Sequence, residues 1–388
     1  MTNAGSNETT LSLVAFRIFY GITWFSFPTI YSFIALDLGF GITGLATATT
    51  SFLLGMAIFQ IPGGIFSARH GARNVLLIGT LTAATGTILC GLTTDLGSQV
   101  LLRFVVGAGM GLTFSPSVRL IAKHYRTGSE GMSLGIFGAA LGLGGFLALV
   151  FWGLLAESTS WRVGLFVNGL LGLGCIVLMM RFIPKQEDED DGLILRFRTP
   201  ALFVILRDRR LNLISLCLLG TTIGPILVGN IMTYYLENVL DISPSLSGSI
   251  ASLSPILSVV SSLIFGKLYD KVKDVRRLLL ICGAGSSLSL TLSSAPNLYM
   301  LSMSSALVGF FQGGGFTTAI ASAREISSVS SRYDTVRVGW VNSFSLVGNF
   351  WIPIVFAYTV SNYGYPFAWI CNGFFVIVFV LPVMFLPE

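Results

Sequence analysis

The chain has 388 residues and a formal net charge of +5; 53% of its residues are hydrophobic and only 11% charged, against roughly 25% charged in an average soluble domain. With a mean hydropathy of +0.80, this composition excludes a water-soluble globule and a disordered chain, which is poor in apolar residues. The apolar runs are continuous rather than alternating, which excludes a transmembrane β-barrel and leaves an all-α bundle of membrane-crossing helices.

A crossing helix needs about 20 mostly apolar residues, and on that window the chain reads as twelve spans. The polar first ten residues carry no Lys or Arg and run straight into span 1, so no cleavable leader is expected. The first six spans are predicted at Leu11–Leu36, Thr43–Phe66, Asn74–Thr93, Gly97–Ala122, Met132–Ala156 and Trp161–Ile183, forming one six-helix bundle over residues 1–183. Residues 184–210 follow as a cytoplasmic linker, with the acidic run Glu187, Asp188, Glu189, Asp190, Asp191 and then Arg196, Arg198, Arg207, Arg209 and Arg210. A solvated connector explains these charge blocks more simply than a regulatory or lipid-binding segment does. The second bundle, residues 211–388, is predicted to hold spans at Leu211–Leu236, Leu246–Tyr269, Leu278–Ser294, Leu298–Ala323, Val338–Val360 and Tyr365–Leu386.

Lys and Arg are retained on the cytoplasmic side, and here they collect at alternate connections, after spans 2, 4, 6, 8 and 10. Arg17 and Arg103 lie well inside spans, and Arg162 follows span 5, at the start of span 6. This asymmetry places both termini in the cytoplasm of a cell-membrane protein. Five cysteines lie in apolar runs without CxxC spacing, and the two histidines in basic loops. Neither pattern suits a metal site. No cofactor is expected, no GxxxxGK[ST] phosphate loop is present, and nothing suggests an enzyme or a nucleic-acid partner.

The halves repeat at an offset of 202 to 204 residues. Gly64 to Arg73, with Ala68, Arg69 and Gly71, follows span 2; Gly266, Asp270 and Lys271 follow span 8. Val106, Gly107, Gly109 and Gly111 in span 4 are answered by Val308, Gly309 and Gly313 to Gly315 in span 10, and Asn168-Gly169 in span 6 by Asn372-Gly373 in span 12. Parallel six-helix repeats are one plan of secondary transporters. On these residues, together with Arg103, Pro116 and the Trp161-Arg162 pair, the whole chain resembles the major facilitator superfamily. The resemblance implies two pseudo-symmetric six-helix bundles that alternate access to a central site lined by spans 1, 4, 7 and 10. Ala68 stands where the family carries a gate aspartate, whereas Asp270 keeps it in the second half. Span 5 lacks the Gly-Pro signature of drug–proton antiporters.

Ionisable residues inside a span are expensive and mark function by default. Arg17 is read either as a clamp for an anionic solute or as an arginine snorkelling to the inner surface. For Arg103 the resemblance implies a role in packing or coupling between spans 1 and 4, which is preferred to direct substrate contact. The two sit at depths differing by roughly 12 Å for a 30 Å core, too far apart to share one small carboxylate. No Asp, Glu, His or Lys lies well inside a span, so the expected substrate is a small organic anion such as a carboxylate or sugar acid, with proton coupling left open. An exporter of amphipathic drugs and a receptor without flux are the alternatives. Further candidates for the lining are Tyr20, Trp24 and Tyr31, on one stripe of span 1 with Arg17, then Asn230, Tyr234, Tyr235, Gln312, Asn342 and Asn349. Gating candidates are Gly64, Arg69, Gly71, Arg73, Gly266, Asp270 and Lys271, with the cytoplasmic charges Arg126, Glu130, Arg324, Glu325, Asp334 and Arg337. A monomer in contact with membrane lipid is expected.

Overall fold

The computed structural model describes residues 3–124, 130–184, 207–272, 274–325 and 334–386, and the regular structure among them is helical throughout. The chain divides into two compact units, Met1–Phe197 and Arg198–Glu388.

In the first unit the helices are α1 (Asn3–Thr29), α2 (Tyr31–Leu38), α3 (Ile42–His70), α4 (Ala72–Cys90), α5 (Leu96–His124), α6 (Glu130–Ser158) and α7 (Trp161–Phe182). Span 1 is therefore two helices, not the single one expected. Pro28 lies in its last turn, and a proline lacks the N–H that an unbroken helix needs. The chain bends at Ile30, and α2 ends at Gly39 in the left-handed region (φ 75°), whose N–H bonds the Ala35 carbonyl. Gly71 makes the sharp α3–α4 turn at φ 86°, a conformation that a Cβ disfavours. The α7 carbonyls left free at its C-terminal end accept from Arg73, with Nε to Ile183 at 2.8 Å and Nη2 to Met180 at 3.0 Å, while Thr9 Oγ1 donates to Phe182 at 2.7 Å.

The second unit has α8 (Arg209–Val239), α9 (Pro244–Val272), α10 (Val275–Leu292), α11 (Leu298–Glu325), α12 (Asp334–Asn349), α13 (Ile352–Tyr363), α14 (Tyr365–Val380) and a terminal 3₁₀ turn, Leu381–Phe385. Span 11 also breaks, between α12 and α13, because Pro353 sits in the first turn of α13 and cannot donate back. Asn349, at the break, donates instead to the Leu219 carbonyl at 2.9 Å and to Thr222 Oγ1 at 2.7 Å. Helix α8 runs past the expected Leu236 and takes Glu237 into its last turn.

Among the described residues eleven spans are long and apolar enough to cross a membrane, the paired α12–α13 counting as one. A further helix, α11, is 28 residues long and lies outside that set, its apolar run interrupted by Ser302, Ser304, Ser305, Gln312 and Gly313 to Gly315.

Close packing follows the glycines. In lipid, helices associate through small residues that let backbones approach. A Cβ on Gly107 or Gly111 of α5 would strike the Phe52 or Met56 carbonyl of α3; a Cβ on Gly309 or Gly313 of α11 would strike the Ser254 or Ser258 carbonyl of α9. These four contacts are the same two contacts repeated 202 residues apart, so the repeat read in the sequence is a repeat of backbone approach. Helix α1 packs against α6 and α7, with Gly21 and Gly144 at the α1–α6 contact.

Candidate functional site

The first unit buries two cations in aromatic clamps. The Arg17 guanidinium carbon lies 4.5 Å from the Tyr20 ring centroid, 4.3 Å from Phe137 and 5.7 Å from Phe114. Its side chain is 5% exposed, and Nε and Nη1 have no hydrogen-bond partner among the described residues. Arg103 lies 4.4 Å from Phe27 and 4.2 Å from Phe52, is 2% exposed, and keeps Nε and Nη2 likewise unpartnered. Desolvated cation–π contacts contribute about 2 kcal/mol each, well short of the cost of burying an isolated charge. Nε and Nη1 of Arg17 and Nε and Nη2 of Arg103 therefore favour an acceptor that the described residues do not supply.

The two clamps are ends of one aromatic row. Tyr20 meets Trp24 at 6.2 Å between centroids, Trp24 meets Phe52 at 5.8 Å, and Phe52 faces Arg103. Arg17, Tyr20 and Trp24 thus share the stripe that their spacing predicted. Tyr31, beyond the Pro28 bend, is 1% exposed and donates to the Gly41 carbonyl at 3.1 Å, so it pins the α2–α3 connection. Sequence reading missed Gln60: it is 2% exposed, and its amide nitrogen has no partner among the described residues. The available signal was that span 2 contains only this one amide side chain.

In the second unit, Asn230 is fully buried and donates to the Ile226 carbonyl of its own helix at 2.7 Å. Tyr235 is packed in an aromatic cluster with Tyr365 at 4.5 Å and Trp369 at 6.4 Å. Tyr234 and Asn342 are half-buried, and Gln312 Oε1 accepts from Ser258 at 2.9 Å. Asn349 ties α12 to α8, as described above.

The gating candidates separate. A Cβ on Gly64 would sit 3.5 Å from Ser115 Oγ and one on Gly266 3.8 Å from Thr317 Cγ2, again equivalent positions of the two halves. Arg69, Asp270 and Lys271 are exposed, Arg73 caps α7, and Arg337 is buried at the start of α12. Arg126 lies outside the described residues, as do the side chains of Glu130, Arg324, Glu325 and Asp334.

At the far end of the first unit, Arg162 pairs with Asp37 at 2.5 Å and Trp161 Nε1 donates to the same carboxylate at 3.1 Å. These donors, Arg162 first, hold the Asp37 carboxyl below its usual range. The Trp161-Arg162 pair therefore fastens the short helix α2 to α7.

The riboflavin transporter RibZ of Clostridioides difficile is 21% identical over 61% of this chain and 62% of its own. The hexuronate transporter of Bacillus subtilis is 25% identical over 40% of this chain and 37% of its own. The chain thus spans less than two thirds of the length of either relative. The fold is that of a bacterial homologue of the human lysosomal transporter Spinster, crystallised in an inward-facing and unoccupied conformation, with a TM-score of 0.77, 15% identity, and coverage of 99% of this chain and 97% of that one. A family model described as Major Facilitator Superfamily matches residues 13–284 and 214–388. Two helical units repeating one set of glycine contacts and a family match along the chain lead to one conclusion: this multi-pass membrane protein belongs to the Major Facilitator Superfamily.

Proposed function

We propose that the protein is a secondary transporter moving a small organic anion, a carboxylate or sugar acid, by alternating access between its two halves. The observation that carries this reading is the buried Arg17 guanidinium, with Nε and Nη1 unpartnered. Guanidinium is well shaped for carboxylate, and a positive site bordered by Tyr20 and Trp24 suits an anion whose body can lie against aromatic rings. The hexuronate transporter among the relatives handles solutes of this charge, which supports the reading. Arg103 sits at the other end of the aromatic row and holds α1, α3 and α5 together. The cell membrane is the proposed location, with both termini in the cytoplasm. The domain division proposed is residues 1–183 and 211–388, joined by a linker at 184–210, with Arg69, Asp270, Lys271 and Arg337 contributing to the inner gate.

The test is uptake by purified protein in liposomes, using a panel of labelled carboxylates, sugar acids, neutral sugars and cationic drugs. Uptake of at least one acid is expected, with a fall of 100-fold or more in Arg17→Gln, on the order of the loss from stranding a buried charged partner. Transport of cations alone, or anion uptake indifferent to Arg17→Gln, overturns the proposal.

A further inference from the structure

Where α2 meets α6 and α7, the first unit carries an open groove of about 450 Å³, lined among others by Phe33, Leu36, Asp37, Ala156, Trp161 and Arg162. That volume lies within the roughly 300–1,000 Å³ usual for small-molecule sites. Its polar centre is the Asp37–Arg162 pair. Asp37 Oδ2 accepts from Arg162 Nη1 at 2.5 Å and from Trp161 Nε1 at 3.1 Å, so Oδ1 remains for a further donor. The Arg162 guanidinium carbon is held 4.2 Å from the Trp161 ring centroid, and Nη2 reaches the Thr93 carbonyl only at 3.5 Å. Both side chains stay open to a ligand, Arg162 at 37% exposure and Asp37 at 46%. The groove therefore presents one positive and one negative group side by side, with no net charge.

The groove also lies at the ends of crossing helices. Helix α6 stops at Ser158 and α7 starts at Trp161, and each contains a segment long and apolar enough to span a bilayer. The turn between them stands at headgroup level, where tryptophan is enriched. Leu36, next to Asp37, is 80% exposed; an acyl chain covers such a side chain and a small polar solute does not. The first turn of α7 adds backbone N–H groups without partners inside the helix, and such a terminus attracts phosphate. We infer that this groove binds a phosphatidylethanolamine molecule, its ammonium on Asp37, its phosphate on Arg162 and the start of α7, and an acyl chain against Leu36 and Phe33. An anionic headgroup matches Arg162 but is repelled by Asp37. Choline matches both charges but has no N–H for Oδ1, whereas an ammonium has three. The lipid adds a second tie between α2 and α7, whatever solute is carried.

The test uses the full chain in detergent, supplied with dioleoyl phosphatidylethanolamine, phosphatidylcholine or phosphatidylglycerol, or with soluble phosphoethanolamine. Bound lipid is read by native mass spectrometry and stability by thermal shift. The wild type is expected to bind the ethanolamine lipid about tenfold more tightly than the choline lipid, in the range for a hydrogen bond to a charged group. Asp37→Asn should lose that preference and turn to phosphatidylglycerol, because its site is left net positive. Arg162→Gln should lose the ethanolamine lipid without gaining the glycerol one. Asp37→Glu, which keeps the charge, should retain the wild-type order and serves as the folded control. Equal binding of the three lipids by the wild type overturns the inference, as does an ethanolamine preference that survives both Asp37→Asn and Arg162→Gln. If soluble phosphoethanolamine raises the melting temperature as much as the lipid does, the occupant is a free zwitterion and the lipid site is overturned.

Discussion

The two halves solve the same packing problem and then diverge in chemistry. Gly107 and Gly111 meet the backbone of α3 as Gly309 and Gly313 meet that of α9, 202 residues on. Around those contacts the first half places arginines and rings, whereas the second places serine hydroxyls, with Ser258 donating to Gln312 and Ser262 to the Gly313 carbonyl at 3.3 Å. A second equivalent pair diverges further. Asn168 joins α7 to α1, donating to Ser26 at 2.9 Å and accepting from Thr23 at 3.3 Å. Its counterpart Asn372 donates to Ala368 in its own helix at 2.9 Å, and its amide oxygen is buried without a partner among the described residues. Shared glycines preserve a fold while the groups between the helices change, because only the glycine contacts involve backbone that cannot move aside.

The strongest challenge to this comparison is at the glycines. Gly107→Ala and Gly309→Ala are each expected to destabilise by about 3 kcal/mol, the upper end of overpacking costs, as measured by thermal unfolding in detergent. Sensitivity at only one of the two would end the structural equivalence. Next is the asparagine pair. Asn168→Leu is expected to cost about 2 kcal/mol, since it removes two interhelical hydrogen bonds and strands their partners. Asn372→Leu should be neutral or stabilising, because it removes an unsatisfied buried oxygen. Equal costs would mean that the second half uses its asparagine as the first does.

A smaller effect is expected between Arg103 and Phe52. A double-mutant cycle of Arg103→Met and Phe52→Leu should give a coupling of about 1–2 kcal/mol, the range for a desolvated cation–π contact. A coupling near zero would remove the aromatic clamp from the account of the first half. The smallest effect belongs to the exposed Asp37–Arg162 pair, since surface ion pairs contribute little. Its sign is fixed, because a carboxyl whose pKa is lowered in the folded state stabilises above its unfolded value of roughly 4. The difference in melting temperature between wild type and Asp37→Asn should therefore hold from pH 7 to about pH 5 and disappear as pH falls through the folded pKa. A difference that grows on acidification would contradict the pairing.

Much of this was legible in the residues. Span ends agree to within a few positions wherever an apolar run stops at charge or glycine, as at Trp161 and Phe182. The breaks in spans 1 and 11 were missed because the hydropathy window averages over Pro28 and Pro353, although both prolines mark the place. The stripe Arg17, Tyr20, Trp24 followed from helical spacing alone. Tyr31 left that stripe because spacing arguments hold only while the helix is unbroken. Arg73 was grouped with gating residues by its motif; that its guanidinium also closes the carbonyl end of α7 could be seen only in the folded chain.

The sequence by itself determined the class of protein, the number and approximate limits of its spans, the repeat, and the two cations that lipid makes costly. These depend on the transfer of side chains out of water and on local helical geometry, both properties of neighbouring residues. Only the tertiary structure decided what surrounds those cations: rings from α5 and α6 brought to Arg17, and rings from α1 and α3 brought to Arg103. Those neighbours are far apart in the chain, and their meeting depends on how the helices pack and on how closely glycines let two backbones approach.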